Sequence, residues 1–387
     1  MDELYQAFVT SEKQRELVKL AGSLADGFHE RAAQSDEEGT FPFENFEALK
    51  QADYLALTVP EKYGGNGINL YELLLVQERI AQGDGATALS IGWHLGSLLE
   101  LGEGHTWDQE VFEELIKEVV HSKALINRAA TEPATGSPTR GGMPQTTAKK
   151  QGNKWVINGR KSFTSMAVAL DYSLVTARIG DTDKKGSFLV NHKQEGVHVE
   201  ETWDVMSMRG TKSDDLVLTN VELDEKALVE VEGDKAASPL PKAWLLHIPA
   251  CYLGIAVAAR NYAVEFAKTY KPNSLPGPIA EVPEVQRKLG EIELELFKAR
   301  QLMYGTAEKW INYPEKRPHM GAELGAVKHI ATNSANKVVD LAMRIVGARS
   351  LAKSNPLQRY YRDVRAGLHN PPMDDAVISM LAKRAIK

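Results

Sequence analysis

The chain has 387 residues, enough for two or three domains around a large shared core. Hydrophobic residues make up 43% and charged residues 25%, a globular balance that excludes a mainly disordered or collagen-like chain. The net charge of −6 leaves no basic excess for nucleic acid, and the single cysteine, Cys251, excludes an intrachain disulfide and a thiolate metal cage.

The start, Met1-Asp2-Glu3-Leu4, is acidic and does not read as a secretory signal. With the lone cysteine it suggests a reducing, cytoplasmic setting. Ser11 followed by Gln14 has the spacing of a capping box, and an apolar-periodic stretch continues to Ala25. Leu70, Leu73, Leu74, Ile80 and Ala81 fall near helical spacing, as do Val111, Leu115, Ile116 and Val119. Pro60 and Gly64-Gly65-Asn66-Gly67 punctuate these helices. The first region, 1–123, is therefore expected to be an α-helical domain.

Short alternating runs then replace the helical period. They are Trp155–Asn158, Tyr172–Ile179, Ser187–Asn191, Val197–Val199 and Leu216–Leu223. Turn residues such as Gln151-Gly152-Asn153 and Gly180-Asp181 separate them. This pattern predicts a compact antiparallel barrel or sandwich over 124–231. From 232 to 387 the helical period returns. Ala243–Ala259 is uncharged but shorter than the roughly 20 apolar residues a bilayer needs, so it predicts a buried helix and no membrane span. Val285, Leu289, Ile292, Leu296, Ala299 and Met303 stripe a second helix, and Ala322–Val346 forms another, ended by Gly347. Pro272, Pro276, Pro278 and Pro283 break the chain before the second helix. An antiparallel four-helix bundle follows from this spacing.

Nucleotide-binding glycine fingerprints, a Gly-x-Ser-x-Gly elbow and a His-Glu-x-x-His pair are all missing. His319 and His329 stand ten residues apart, off the short helical spacings of metal pairs, so no metal site is expected.

Four segments carry a resemblance. Ala129-Ala130-Thr131-Glu132-Pro133-Ala134-Thr135-Gly136-Ser137 resembles the Thr-Glu-Pro-x-x-Gly-Ser signature of the acyl-CoA dehydrogenase superfamily. Asn158-Gly159-Arg160-Lys161-Ser162-Phe163-Thr164-Ser165 resembles its Asn-Gly-x-Lys-x-Trp-Ile-Thr stretch. Met208-Arg209-Gly210-Thr211 and Arg362-Asp363-Val364-Arg365 are similar to its Met-Arg-Gly-Ser turn and Arg-Asp-Ala-Arg segment. The resemblance implies that family's fold: an α-helical N-domain, a central β-barrel and a C-terminal four-helix bundle, assembled as a homotetramer. It implies FAD, with FMN as the alternative. Ala130 and Thr131 would meet the pyrimidine edge, Gly136 would let backbone approach the cofactor, and Ser137 would donate to a phosphate. Phe163 replaces the tryptophan beside the ring. In the same flavin stretch stand Thr164 and Ser165, the latter replacing the threonine whose hydroxyl reaches flavin N5.

The implied activity is oxidation of an acyl-CoA or similar small-molecule substrate, with hydride transfer to flavin N5 and an electron-acceptor flavoprotein as partner. Such chemistry needs a glutamate over the substrate α-carbon. Ungapped alignment puts Pro371 and Trp244 at the family's two base positions, and neither side chain takes a proton. Asp374 and Asp375 could stand in, or could cap the final helix. The family's Arg-x-x-Phe-Gly is missing, and its Gln-x-x-Gly-Gly reads Arg344-Ile345-Val346-Gly347-Ala348. Gly347 remains, and Arg344 could bind a pyrophosphate or cap the helix end.

The departures lean toward a sister branch of the fold, the flavin-dependent monooxygenases, which take reduced flavin from a reductase. Leu368-His369-Asn370-Pro371 resembles that branch's Leu-His-x-Pro run, and His94 stands in the helix where the branch has a histidine. His369 and His94 are thus the catalytic candidates, with a structural role open for His94. His247, on an apolar helix, reads as a core residue. A flavoprotein that has lost its base is the third reading.

Overall fold

The computed structural model describes residues 7–135, 141–233 and 240–386. Among these residues five helices come first: α1 (Glu12–Glu38), α2 (Phe43–Gln51), α3 (Leu70–Ala81), α4 (Gly85–Glu103) and α5 (Gln109–His121). Ser11 Oγ accepts from Gln14 N at 3.2 Å, but the Gln14 side chain closes on Thr10 N at 2.7 Å rather than on the cap residue itself. A complete capping box starts α3, where Asn69 and Glu72 exchange bonds. Asp84 starts α4 by accepting from Ala86 N and Thr87 N. Nearly every residue of α3 and α4 is buried, because α1 and the later bundle cover them.

Eight strands follow among the described residues: β1 (Ile126–Ala129), β2 (Thr147–Gln151), β3 (Lys154–Lys161), β4 (Tyr172–Ile179), β5 (Lys185–Asn191), β6 (Val197–Glu200), β7 (Asp215–Asp224) and β8 (Leu228–Val231). They form one sheet in the order β6-β7-β3-β2-β4-β5-β8, with β1 also on β4. The expected antiparallel pattern holds for most pairs but not for β4. Its one edge takes β1 in parallel along Tyr172–Val175 and β2 in parallel at Arg178 and Ile179. A core of Ala148, Ile157, Val175, Ala177, Phe188, Val190, Leu216, Leu218 and Val221 fills the sheet.

The last region contains α6 (His247–Thr269), α7 (Pro283–Asn312), α8 (Gly321–Val346), α9 (Pro356–Ala366) and α10 (Asp374–Ile386). Helix α6 is long and apolar enough to cross a membrane, yet 89% of its apolar window is buried. It lies against α3, α4, α8 and α9, so one continuous core joins the N-terminal helices to the bundle. On α7 the predicted stripe is buried at Ile292, Leu296, Ala299 and Met303.

The Met208–Thr211 turn is held where the three regions meet. Met208 N donates to Asp363 Oδ1 at 2.6 Å. Arg362 forks onto the Asp36 carboxylate at 3.0 and 2.5 Å and donates to Met206 O. Arg209 Nε donates to Asp36 O at 2.6 Å. Burial pushes the Asp363 carboxyl up to about 7, against the opposing Met208 N–H. Two of the four segments singled out in the sequence are therefore joints. Charge-assisted bonds of this kind contribute about 1.5–3 kcal/mol. Arg362→Met should lower unfolding free energy by about that amount in urea titration, whereas an unchanged midpoint would show that the joint carries no stability.

Candidate active site

The site grows from β1. Its first residue, Ile126, donates its N–H to His94 Nδ1 at 3.1 Å, and His94 Nε2 lies 3.0 Å from Leu55 O. The ring therefore carries its hydrogen on Nε2 and pins β1 to α4. Beyond β1, Thr131 O accepts from Ser162 N at 3.0 Å. Glu132 then turns inward. Its carboxylate meets Lys161 Nζ at 2.5 Å and accepts from Gln145 N at 2.6 Å and Thr146 N at 3.1 Å. Both side chains are buried. Burial raises the Glu132 carboxyl, but Lys161 and the two amides outweigh it and hold it below the usual range.

Residues 162–166 lie along this anchored edge. Thr164 N donates to Asp214 O at 3.3 Å and Met166 N to Thr211 O at 2.8 Å. Asn127 Nδ2 donates to Ser165 O at 3.1 Å. Phe163 and Met166 both take left-handed backbone, φ +58 and +55, which is rare for bulky residues. The turn at Phe163 throws its ring outward, 65% exposed, against the edge of Trp203 at 5.8 Å and 83°. Trp203 is itself fixed. Asp214 Oδ1 accepts from Thr202 N and Trp203 N at 2.9 Å each, and Trp203 Nε1 donates to Met208 O at 3.1 Å. The Ser162 and Thr164 hydroxyls are buried without a hydrogen-bond partner.

The structure thus brings Ala130, Thr131, Phe163, Thr164 and Ser165 onto one edge. Gly136 and Ser137 lie outside the described residues. Arg344 is elsewhere, exposed near the end of α8 and paired with Asp340 at 2.7 Å, and Gly347 closes that helix with φ +73. Neither shares a hydrogen bond with the edge. His94 is not presented to a ligand: it is fully buried and both ring nitrogens face backbone groups. His369 is exposed after α9, beside Asn370, which accepts from Tyr252 OH at 2.5 Å.

Neither expected base position supplies a carboxylate. Trp244 is buried and stacks parallel to His247 at 5.9 Å. Asp374 is drawn to α8, with His329 Nδ1 at 3.2 Å, Asn333 Nδ2 at 3.0 Å and Lys328 Nζ at 3.6 Å. It docks α10 rather than facing the edge. Asn127, Trp203, Ser213 and Asp214 carried no sequence signal. Glu132 and Lys161 did, as opposite charges inside two otherwise recognisable segments.

The acyl-CoA dehydrogenase N-terminal, middle and C-terminal domain families match residues 11–103, 127–221 and 246–370. YdbM, an acyl-CoA dehydrogenase homologue of Bacillus subtilis, is 57% identical over 98% of this chain and 99% of its own. The fold is shared with butyryl-CoA dehydrogenase from Megasphaera elsdenii, with a TM-score of 0.87, 21% identity and coverage of 98% and 100% of the two chains. It is also shared with dibenzothiophene monooxygenase (TdsC) from Paenibacillus sp. A11-2, with a TM-score of 0.82, 21% identity and coverage of 94% and 95%.

Two outcomes follow from the geometry. Lys161→Met leaves the Glu132 carboxylate buried and unpaired, which should cost about 3–5 kcal/mol in denaturant unfolding. Pairing it with Glu132→Gln should recover part of the loss, and a single variant as stable as the parent would contradict the assigned role. Burial lowers His94 from 6.5 to about 4, so the neutral ring's contribution is present above pH 6.5 and lost as pH falls toward 4. Urea midpoints should fall across that window, and fall less steeply in His94→Leu. Identical slopes would show that His94 does not titrate with unfolding.

Proposed function

The chain belongs to the acyl-CoA dehydrogenase family, and from that premise we propose that it is an FAD-dependent oxidoreductase acting on an acyl-CoA or similar acyl substrate. The observation that carries the cofactor is the edge at 162–165. An outward Phe163 ring supplies an apolar wall, and the unpartnered Ser162 and Thr164 hydroxyls supply polar groups that lack a protein partner. Flavin rings need this combination of an apolar face and hydrogen bonds at the polar edge. Ala130, Thr131, Phe163, Thr164 and Ser165 would hold the ring, with FMN as the smaller alternative. When bound, the flavin supplies a hydride acceptor at N5.

The protein's part in α-proton removal is less conventional. Trp244 and Pro371 do not titrate, and Asp374 is committed to α8. The reading remains oxidation of an acyl-CoA or similar acyl substrate, with weak turnover expected on simple straight chains because no carboxylate stands at either base position. A second reading is favoured by the exposed imidazole of His369 in the Leu368-His369-Asn370-Pro371 run. An imidazole can hydrogen-bond an oxygen species without acting as a strong carbon base. That reading is a monooxygenase fed by a flavin reductase, whereas the first needs an electron-acceptor flavoprotein. A flavoprotein without its base is the residual case. Assembly as a homotetramer is what the family implies, and Leu294 and Phe297, exposed one helical turn apart on α7, offer apolar surface for a contact between copies. A cytoplasmic setting is supported by the single buried thiol.

Anaerobic acyl-CoA should bleach the yellow flavin of a dehydrogenase. A monooxygenase would give product only with externally reduced flavin and oxygen, and the base-less flavoprotein would do neither. Butyryl-CoA and octanoyl-CoA with a dye acceptor should turn over well below the enzyme median of ~10 s⁻¹. A rate at or above that median would overturn the base assignment.

A further inference from the structure

Three hydroxyls form a file leading inward from the cofactor edge. Ser165 Oγ lies 3.0 Å from Ser213 Oγ, Ser213 Oγ lies 2.8 Å from Thr211 Oγ1, and Thr211 Oγ1 lies 2.9 Å from Met208 O. Residual exposure falls along it, at 7%, 5% and 1%. Each hydroxyl has one hydrogen and two lone pairs, so the file can run in either direction. Its inner end is a carbonyl, which only accepts. That carbonyl also accepts from Thr211 N at 3.0 Å and Trp203 Nε1 at 3.1 Å, so it stays bonded whether or not the Thr211 hydroxyl turns toward it.

We propose that Thr211 and Ser213 make Ser165 a two-way partner for flavin N5, donating to the oxidised ring and accepting from the reduced one. The inference rests on the flavoenzyme reading for the placement of N5 at Ser165. Oxidised N5 offers a lone pair. Toward it the hydrogens run from Thr211 to Ser213, from Ser213 to Ser165, and from Ser165 to N5. Reduced N5 carries the hydrogen delivered with the substrate's electron pair as hydride. The three hydroxyls then turn about their C–O bonds, and the order becomes N5–H to Ser165, Ser165 to Ser213, Ser213 to Thr211, and Thr211 to Met208 O. No proton leaves the file and no further reactant is needed. A lone serine would have to find a new acceptor for its hydrogen on reduction, whereas here the Met208 carbonyl is already in place. Thr211 and Ser213 are positioning residues, because they act through Ser165.

The test is the two-electron reduction potential of the bound flavin in the purified holoprotein. Ser213→Ala removes the acceptor of the Ser165 hydrogen, and Thr211→Val leaves the Ser213 hydrogen without its acceptor when Ser213 takes that of Ser165. Each should make the potential more negative, by a three- to tenfold loss of preference for reduced flavin; tenfold is about 30 mV for two electrons. Thr211→Ser keeps the hydroxyl and should restore the parent potential. Thermal unfolding of each variant separates this effect from loss of fold. If Ser165→Ala shifts the potential while Ser213→Ala and Thr211→Val do not, Ser165 acts alone and the file is rejected. If Ser165→Ala also leaves the potential unchanged, N5 does not meet Ser165, and the placement of the flavin fails with the file.

Discussion

One buried ion pair, Glu132 with Lys161, sets the geometry on which the site depends. Neither group survives in the interior alone, because removing a charge from water costs several kcal/mol. Lys161 is the last residue of β3, and Glu132 lies three residues beyond β1. Their contact forces the two chain ends together across the sheet. The carboxylate's remaining capacity is taken by Gln145 N and Thr146 N, so the loop after β1 is tied to the approach to β2 as well. With both ends fixed, Phe163 can hold a left-handed backbone that a free loop would not keep, at a cost on the order of 1–3 kcal/mol. The strained turn leaves an aromatic ring facing solvent, the wall proposed for a planar cofactor.

A second layer holds that edge against the rest of the molecule. The Met208–Thr211 turn receives Asp363 from α9, and Asp36 of α1 joins Arg362 and Arg209. Movement of the N-terminal helices or of the bundle is therefore felt at the turn that supplies Thr211 and Met208 O. His94 makes the corresponding joint on the other side, between α4 and β1. The helices that carry these contacts share one apolar core, so helices and sheet are coupled through a small number of directional bonds.

Much of this is legible in the sequence. The apolar stripe of α7, the buried α6 and the span of β4 followed from periodicity, because burial writes its period into sequence. Strands β1, β2 and β8 carry no alternating signal that marks them in the sequence. Ile126-Asn127-Arg128-Ala129 is short and interrupted by two polar residues, and it is a strand because β4 offers it an edge; Thr147-Ala148-Lys149-Lys150-Gln151 is mostly polar, and it is a strand because it pairs along its length with β3. The residues proposed to hold a flavin lie in local segments that are recognisable in the sequence. Their support is not recognisable there, since Ser213, Asp214 and Asn127 act through contacts between segments far apart in the chain. His94 shows the same limit: a histidine on an apolar helix says nothing of the two backbone groups that hold its ring. Asp374 was open between base and helix end, and its α8 partners decide that it docks α10.

We propose that a flavin ring binds at the edge anchored by Glu132 and Lys161. A crystal structure of the protein soaked with FAD tests it most directly. The isoalloxazine ring is expected against Phe163, with its polar edge at Ala130, Thr131 and Thr164 and N5 beside Ser165 Oγ. A ring seated elsewhere, or no flavin in crystals of the folded protein, would contradict it.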